Sequence, residues 1–489
     1  MRILYTASEV VPFAKTGGLA DVAGALPSAL ARLGHEVKVV MPKYAVIEEG
    51  RWKLKRLFDL RVRLAGQDDS LFTLWAGLLP GSEVEVLFLG NDQLFGRPGL
   101  YQEKGRDYPD NLRRFSAFSR AVLEIPKRLD WVPDVLHGND WQTALTFAYL
   151  KAHFPGDASY EKIGTVFTIH NLGYPGLFPS VEFSKLGLPP EYFTPDTLEF
   201  YGKVSLLKAG LVFSGMLNTV SPTYSREIQT PEFGHGLEGI LQARQRDLFG
   251  IVNGVNYREW DPAHDPHLLH SYDRRHLQGK RLCKEALQKE CKLPVVDAPL
   301  IGMITRLTPQ KGVDLVLEVL EELMRLDLQI VILGAGDPDI QRKLTQAMHR
   351  YSKKLSIHIN FDEPLAHRIE AGSDLFLMPS RYEPCGLNQL YSLRYGTMPV
   401  VRKTGGLADT VTDATPSNLD SEKATGFVFE GVSSHFLLTT LRLALEIYKD
   451  RPLWERMMQT AMAADFSWDH SAREYVELYK LAVAKTRQG

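Results

Sequence analysis

Two cationic side chains follow one predicted strand and could bind a single anion. Residues 300–304 form a short apolar run, and Arg306 and Lys311 stand five positions apart in the stretch behind it. Ligands of open α/β sheets bind beyond the carboxyl ends of the strands. Arginine offers phosphate oxygens a planar fork, and lysine offers a point charge. The position behind a strand end therefore favours a phosphate-binding pair over solvated surface charge, which is otherwise the commoner role of these residues.

A carboxylate, Glu383, follows another apolar run at residues 375–378. At a strand end it can accept hydrogen bonds from sugar hydroxyls or stabilise a developing positive charge. Gly386 and Leu387 can present backbone N–H groups where the next helix begins. A helix-terminal carboxylate is the alternative, which the proline after Glu383 weakens. The neighbouring Cys385 has no base near it in the sequence and is interpreted as a small packing residue.

One heptapeptide, Lys-Thr-Gly-Gly-Leu-Ala-Asp, occurs at residues 15–21 and again at residues 403–409. Each copy follows a strand-like run and leads towards a helix-like stretch, which is how an open α/β sheet builds an anion site. Paired glycines let the backbone approach a ligand, and the N–H groups at the helix start face its negative charge. One such loop in each half predicts two domains that face each other across a cleft. Two unrelated glycine turns are the alternative.

Two polar residues follow predicted strands in the first half of the chain. His170 follows residues 165–169, and Asp140 follows a strand predicted at residues 134–136. A lone histidine is more often structural than catalytic, but the position of His170 at a strand end favours a catalytic role as much as a structural one. Asp140 can bind a ligand or cap the following helix, and capping is the preferred interpretation.

The elements that would position these residues alternate along the chain. Short apolar runs separated by helical patterns predict an α/β fold of two doubly wound, Rossmann-like domains with parallel sheets. A domain crossing is expected near residues 249–253, which gives domains 1–250 and 251–464, and a final amphipathic helix within 465–489 is expected to pack back on the first domain. The predicted strands are residues 3–5, 37–41, 84–89, 134–136, 165–169, 300–304, 330–333, 355–359, 375–378 and 399–401.

The composition argues against several classes of protein. With 57 basic and 59 acidic residues the net charge is −2, which gives no general attraction to nucleic acid or to an anionic membrane. No run approaches the roughly 20 apolar residues of a membrane span. The N-terminus shows no signal-peptide pattern, and the three cysteines form no metal or disulfide framework. A reduced, cytoplasmic location is therefore expected.

Two common nucleotide-binding motifs are missing from the sequence. It contains no G-x-G-x-x-G loop followed by a carboxylate at the second strand, and no G-x-x-x-x-G-K-[ST] loop. A dinucleotide site and P-loop hydrolysis are therefore disfavoured. Asp337 and Asp339 are similar to the metal-holding Asp-x-Asp of some transferases, but we interpret Asp337 as the cap of a helix.

Taken together, these segments resemble bacterial glycogen synthases and plant starch synthases, which are retaining glucosyltransferases of the GT-B type with two Rossmann-like domains facing a deep cleft. Several motifs in the same order make the resemblance far more specific than any one of them. It covers essentially the whole chain and includes residues 15–21, 107–111, 167–173, 306–312, 383–396 and 403–409.

The resemblance implies that glucose passes from ADP-glucose to the non-reducing 4-OH of an α-1,4-glucan, with retention. It implies no metal and no cofactor, an acceptor side in the first domain and a donor side in the second. Catalytic roles are implied for Glu383, His170, Lys311 and Arg306. Contacts with substrate are assigned to a larger set, namely Lys15, Gly17, Gly18, Asp21, Asp140, Asn253, Phe361, Cys385, Gly386, Leu387, Tyr391, Thr404, Gly405 and Gly406.

Three positions concern the limits of the resemblance. Asn139 stands where the family usually has histidine, and Phe361 replaces the usual tyrosine at the adenine, which keeps a ring and loses a hydroxyl. Tyr391 stands where related glycosyltransferases carry a second glutamate, although the synthases themselves usually have tyrosine. A glucan phosphorylase with pyridoxal phosphate on a lysine, a retaining transferase that uses UDP-glucose, and a glucan-binding protein with a vestigial site are the alternatives.

Overall fold

The computed structural model describes residues 1–64 and 69–488. The chain divides into two units, one made of Met1–Gly254 with the segment that starts at Trp468, and the other of Val255–Ser467. Each unit is built around a mainly parallel sheet flanked by helices, which confirms the predicted α/β class. Within the described residues, no helix is both long and apolar enough to cross a membrane.

The first unit contains a sheet of nine strands, of which seven are joined to one another by parallel pairings. Its central strands β8 and β9 are buried over their whole length, as expected of a parallel sheet that helices cover on both faces. The strands of this unit are β1 (Arg2–Thr6), β2 (Glu36–Pro42), β3 (Lys55–Val62), β4 (Ser70–Leu78), β5 (Glu85–Gly90), β6 (Gln102–Glu103), β7 (Arg106–Asp107), β8 (Val135–Asn139), β9 (Gly164–Ile169), β10 (Leu177–Pro179), β11 (Glu199–Phe200), β12 (Lys203–Ser205), β13 (Met216–Thr219) and β14 (Leu248–Gly250). The order in the large sheet is β14-β13-β9-β8-β1-β2-β5-β4-β3.

The antiparallel edge of this sheet was not predicted. Strands β3 and β4 pair with each other and β4 pairs with β5, all antiparallel. The remaining strands of the unit form two smaller sheets, β10-β12-β11 and β6-β7. The helices of the unit are α1 (Gly18–Arg32), α2 (Asp92–Phe95), α3 (Asn111–Val122), α4 (Ile125–Arg128), α5 (Trp141–His153), α6 (Leu206–Phe213), α7 (Pro222–Glu227) and α8 (Glu238–Ala243), with short 3-10 turns at Ser180–Leu186 and Pro190–Tyr192.

The second unit contains a six-stranded sheet in which every pairing is parallel. Its strands are β15 (Leu300–Ile304), β16 (Gln329–Leu333), β17 (Leu355–His358), β18 (Leu375–Met378), β19 (Met398–Arg402) and β20 (Phe427–Phe429), in the order β17-β16-β15-β18-β19-β20. Its helices are α9 (Gln278–Glu290), α10 (Val313–Arg325), α11 (Pro338–Arg350), α12 (Glu363–Gly372), α13 (Asn388–Arg394), α14 (Gly405–Thr410), α15 (Pro416–Asp420), α16 (Ser434–Tyr448) and α17 (Arg451–Ala463), with a 3-10 turn at Pro309–Lys311.

The last helix, α18 (Trp468–Gln488), belongs to the first unit, where it packs against α1, β8, β9 and β13. Its buried hydroxyls bond to the sheet. The Tyr479 hydroxyl lies 2.8 Å from His137 Nδ1, and Asn218 Nδ2 donates to the Tyr475 hydroxyl at 3.0 Å. Burial lowers the pKa of His137 to about 3, so the imidazole of this network is neutral.

Candidate active site

The first heptapeptide copy joins β1 to α1 and is held by a buried carboxylate. Glu9 accepts hydrogen bonds from the Thr16 amide, from Thr16 Oγ1 at 2.9 Å, from the Gly17 amide at 3.2 Å and from the Tyr101 hydroxyl at 2.9 Å. Burial raises the pKa of Glu9 above its ordinary value, and these hydrogen bonds oppose the rise. Glu9 thus fixes the path of the chain directly before helix α1.

The side chains and backbone of this first loop face outward. Lys15 Nζ lies 2.7 Å from Asp21 Oδ1, and the Lys15 side chain is 42% exposed. Gly17 has an extended backbone, and a Cβ built there would have nothing within 4 Å. The first N–H groups of α1 have no partner within the helix. The loop can therefore offer a cation and backbone donors to an anion.

Asp140 and His170 stand at the carboxyl ends of the neighbouring strands β8 and β9 and contact each other. The His170 amide donates to Asp140 Oδ1 at 2.7 Å, and the Asn171 amide also bonds this carboxylate. The expected capping role of Asp140 is wrong: its side chain makes no cap bond to α5, because those amides on the next strand engage it instead. Burial raises the pKa of Asp140 to about 7.

The ring of His170 contacts Asn139, the last residue of β8. His170 Nε2 lies 3.0 Å from Asn139 Oδ1. Burial lowers the pKa of His170 to about 3, so the ring is neutral at neutral pH. A neutral imidazole at this position can donate and accept hydrogen bonds but carries no charge.

In the second unit, two of the predicted catalytic groups, Lys311 and Glu383, form a largely buried ion pair. Lys311 Nζ lies 2.6 Å from Glu383 Oε2, and their side chains are 18% and 7% exposed. Ser380 Oγ donates to the same carboxylate oxygen at 2.9 Å. The two residues follow β15 and β18, which are neighbours in the sheet. Gly312 makes this approach possible, because its φ is +69° and a Cβ there would lie 2.0 Å from the Pro379 carbonyl oxygen.

The second heptapeptide copy packs against the backbone of Glu383. Thr404 is the N-cap of α14, and Gly405 has a φ of +43°. A Cβ on Gly405 would lie 2.0 Å from the Glu383 carbonyl oxygen, and one on Gly406 would lie 2.2 Å from the carbonyl oxygen of Cys385. The Gly406 amide donates to the Glu383 carbonyl oxygen at 3.2 Å. These glycines therefore permit close backbone packing behind the carboxylate.

The remaining predicted site residues of the second unit differ in exposure. Arg306 is exposed, and its guanidinium donates to Gln310 at 3.3 Å. The Phe361 ring is 81% exposed, so a flat ligand could stack on it. Gly386 has a φ of +74°, and Leu387 directly precedes α13.

Three predicted contact residues are largely buried. Tyr391 is 8% exposed and stacks on Trp260 with 3.8 Å between the ring centroids. Cys385 is 4% exposed, which agrees with its interpretation as a packing residue. Asn253, in the first unit, is 5% exposed, and within the described chain its Oδ1 has no hydrogen-bond partner.

The structure also shows residues that the sequence reasoning missed. Glu9 and Ser380 were not predicted, although each directly bonds a predicted site residue or its loop. A signal for Glu9 existed, since an acidic residue interrupts an apolar stretch directly behind the first predicted strand. Ser380 gave no such signal, because serine is common in loops.

Residues that could hold a metal ion lie elsewhere in the sequence. Among the described residues, the ligand atoms of Glu259, Glu363 and His367 lie within 4.8 Å of one another, and both glutamates are exposed. None of the residues predicted to act on substrate belongs to this group. Asp337, of the Asp-x-Asp pair, caps helix α11 as predicted: its Oδ1 accepts from the amides of Asp339 and Ile340.

Comparison with known proteins agrees with this architecture. Residues 2–243 match the family described as starch synthase catalytic domain, and residues 287–461 match glycosyl transferases group 1. A glycogen synthase from Desulforudis audaxviator (strain MP104C) is 46% identical over 100% of this chain and 98% of the relative. One from Thermotoga maritima (strain ATCC 43589 / DSM 3109 / JCM 10099 / NBRC 100826 / MSB8) is 45% identical over 99% of each chain.

Solved structures show the same similarity. The catalytic domain of starch synthase IV from Arabidopsis thaliana, bound to ADP and acarbose, has a TM-score of 0.91 at 35% identity, covering 99% of both chains. Sucrose-phosphate synthase from Thermosynechococcus elongatus shares the fold, with a TM-score of 0.61 at 15% identity. Two Rossmann-like units with these loops at the strand ends define a glycosyltransferase of the GT-B type. Within that class, the chain belongs to the family of bacterial glycogen synthases and plant starch synthases.

Proposed function

We propose that the chain is a glycogen synthase that transfers glucose from ADP-glucose to the non-reducing 4-OH of an α-1,4-glucan with retention, and so elongates glycogen. Relatives named glycogen synthase match it over its whole length, and the similar Arabidopsis domain was solved with ADP and acarbose. The observation that carries the proposal is the largely buried Lys311–Glu383 ion pair at neighbouring strand ends.

Lys311 and Arg306 are suited to the leaving group. When the bond between glucose and ADP breaks, negative charge develops on the diphosphate. One of the three N–H donors of Lys311 is directed at Glu383, which leaves two for phosphate oxygens. The exposed guanidinium of Arg306 can add a planar fork to the same anion.

Glu383 is suited to the opposite charge. Breaking the bond gives the glucose an oxocarbenium-like positive charge, which a nearby carboxylate stabilises. Oε2 of Glu383 accepts from both Lys311 and Ser380, and in the described part of the chain Oε1 has no hydrogen-bond partner. We assign Oε1 to the sugar. Lys311 and Ser380 then hold the carboxylate in one orientation, so little reorganisation is needed during reaction.

His170 is suited to contact with a reacting sugar because it carries no charge. An imidazolium would repel the positive charge that develops on glucose, whereas a neutral ring can bond a hydroxyl without that cost. Lys15 and the start of α1 offer a cation and backbone donors, and we assign them to the donor phosphates. In this proposal the fixed cations neutralise the leaving group, and transfer needs no metal and no cofactor.

We also propose a cytoplasmic location. Cys283, Cys291 and Cys385 are all buried, and none forms a disulfide. Reduced cysteines of this kind are typical of a reducing compartment. Fractionation of cells that produce the native chain tests this proposal, and recovery outside the cytoplasm would contradict it.

A transfer assay tests the proposed reaction. Purified protein is given glycogen with ADP-glucose or UDP-glucose, with and without EDTA. We expect faster transfer from ADP-glucose, unchanged by EDTA, and no pyridoxal absorbance in the protein. Glu383→Gln should lower kcat by about 100-fold or more, with a much smaller change in donor KM.

The matched control is Glu430→Gln, which removes an exposed carboxylate that is paired with Lys403. We expect this variant to keep its kcat within about twofold, because exposed ion pairs contribute little. Activity lost in EDTA and restored by Mg²⁺ or Mn²⁺ would contradict transfer without a metal. A Glu383→Gln variant with normal kcat would remove Glu383 from the chemistry.

A further inference from the structure

The orientation of the Asn139 side-chain amide is determined by its partners. Asn139 is fully buried at the end of β8, and its Nδ2 donates to the Thr6 carbonyl oxygen at 2.9 Å. A backbone carbonyl oxygen can only accept, so the NH2 group must face Thr6. The amide oxygen therefore points the other way, where it accepts from the Tyr5 hydroxyl at 3.1 Å.

This orientation decides which nitrogen of His170 carries the proton. His170 Nε2 lies 3.0 Å from the same amide oxygen. That oxygen has no proton to give, so Nε2 must be the donor. A neutral imidazole has only one N–H, which leaves Nδ1 with a lone pair. Across the described residues, Nδ1 of His170 has no protein hydrogen-bond partner.

We propose that Asn139 is a positioning residue that holds His170 as the neutral Nε2–H tautomer, so that Nδ1 serves as an acceptor for a hydroxyl of the bound sugar. The identity of that sugar as the transferred glucose rests on the proposed function. The bonds to Tyr5 and Thr6 tie the amide to β1, so three adjacent strands fix one acceptor atom.

An amide suits this task better than a carboxylate would. Both present an oxygen to Nε2–H, but a carboxylate attracts a second proton to the ring and favours the imidazolium. An imidazolium has two N–H groups and no acceptor. Asn139 therefore preserves both the lone pair on His170 Nδ1 and the neutral state of the ring. The lowered pKa of His170 agrees with this arrangement.

The test is ¹⁵N NMR of the full chain labelled at histidine, recorded without substrate. The His170 resonances are assigned by their absence from His170→Gln. We expect a pyrrole-like Nε2 and a pyridine-like Nδ1 in the wild type at neutral pH. Asn139→Leu should give a mixture of tautomers and lower kcat about tenfold, with donor KM little changed.

The matched control is Asn218→Leu. Asn218 is also fully buried, on β13, and its Nδ2 donates to Thr168 Oγ1 at 3.2 Å and to the Tyr475 hydroxyl at 3.0 Å. It makes no hydrogen bond to His170. Asn218→Leu should lose stability, as Asn139→Leu does, yet keep the wild-type tautomer. If Asn139→Leu does not fold, Asn139→Ala removes the same acceptor and adds no hydrogen-bonding group.

The possible outcomes separate the two proposals. An Nδ1–H tautomer or a cationic ring in the wild type overturns the positioning role, and so does an unchanged tautomer in Asn139→Leu or in its alanine substitute. A changed tautomer with full kcat also overturns it. A wild type with the expected tautomer that transfers no glucose from either donor leaves the tautomer assignment standing and overturns the proposed function instead.

Discussion

The two copies of Lys-Thr-Gly-Gly-Leu-Ala-Asp differ in backbone conformation and in where the helix begins. At residues 15–21 the N-cap is Gly17, with a φ of −155°, and the helix starts at Gly18. At residues 403–409 the N-cap is Thr404, and the helix starts one position earlier in the heptapeptide, at a glycine whose φ is +43°.

The partners of each copy explain the difference. In the first copy, the Glu9 carboxylate attracts the amides of Thr16 and Gly17 and keeps them out of the helix. In the second, Gly405 and Gly406 pack against carbonyl oxygens of the segment that contains Glu383. The same seven residues can therefore adopt two backbone conformations, and contacts with residues outside the heptapeptide determine which one forms. The first copy is exposed at residues 15–18, and the second packs against the backbone of Glu383, the proposed catalytic carboxylate.

The largest expected contrast is between the two lysines of the heptapeptide. We expect Lys15→Ala to lower kcat/KM by about 30- to 1,000-fold, because it removes a fixed cation from the proposed donor site. Lys403→Ala should cost no more than about fivefold, since Lys403 pairs with the exposed Glu430. Steady-state kinetics of both variants with the same donor measures the contrast. Equal losses would show that the charged role is wrongly assigned to one copy.

A smaller contrast is expected between the glycines of the two copies. Gly405→Ala should lower the free energy of unfolding by about 1–3 kcal/mol, because its Cβ would meet the Glu383 carbonyl oxygen. Gly17→Ala should change it by no more than about 0.5 kcal/mol, since the backbone is extended and the space is open. Thermal unfolding of both variants measures this, and comparable losses would contradict the assigned roles.

The smallest contrast concerns pH. Burial raises the pKa of Glu9 in the folded state above its ordinary value of 4.5. Between these two values the folded protein holds a proton that the unfolded chain has lost, so this group's contribution to stability falls as pH rises. We expect the stability of the wild type relative to Glu9→Gln to fall as pH rises above this ordinary value towards the raised pKa, as measured by urea unfolding.

Glu430→Gln is the control of opposite sign. Lys403 lowers the pKa of the exposed Glu430, so the contribution of Glu430 is present above its ordinary pKa and is lost as pH falls. Relative to this variant, wild-type stability should rise weakly with pH, because solvent screens the pair. If wild-type stability also rose with pH relative to Glu9→Gln, the pKa of Glu9 would not be raised in the folded protein.

The fold was predictable where burial leaves a simple pattern. Parallel strands covered on both faces are continuous apolar runs, and the predicted run 165–169 lies within β9. Strand β3 was missed because most of its side chains are exposed, and charged residues interrupt its apolar ones. Strand β4 has no charged residue, but its apolar side chains lie on both faces of the sheet, so no simple alternation marks it. Their pairing depends on contacts with β5 that no local pattern contains.

The candidate site was predictable to the level of residues but not of contacts. Strand-end position selected Lys311 and Glu383, which the structure joins at 2.6 Å although they are 72 positions apart. The same logic selected Asp140 but gave it a capping role, because the competing amides of the next strand are invisible in the local sequence. The two identical heptapeptides predicted two similar loops, and only their tertiary partners show that they differ.

Helix α18 delays the completion of the first unit during synthesis of the chain. This unit contains Met1–Gly254 but also needs the buried hydroxyls of Tyr475 and Tyr479, which are translated after the whole of Val255–Ser467. A nascent chain on the ribosome can therefore complete its second unit while the first still lacks a helix over β8, β9 and β13. The half of the protein that is made first is the half that is finished last.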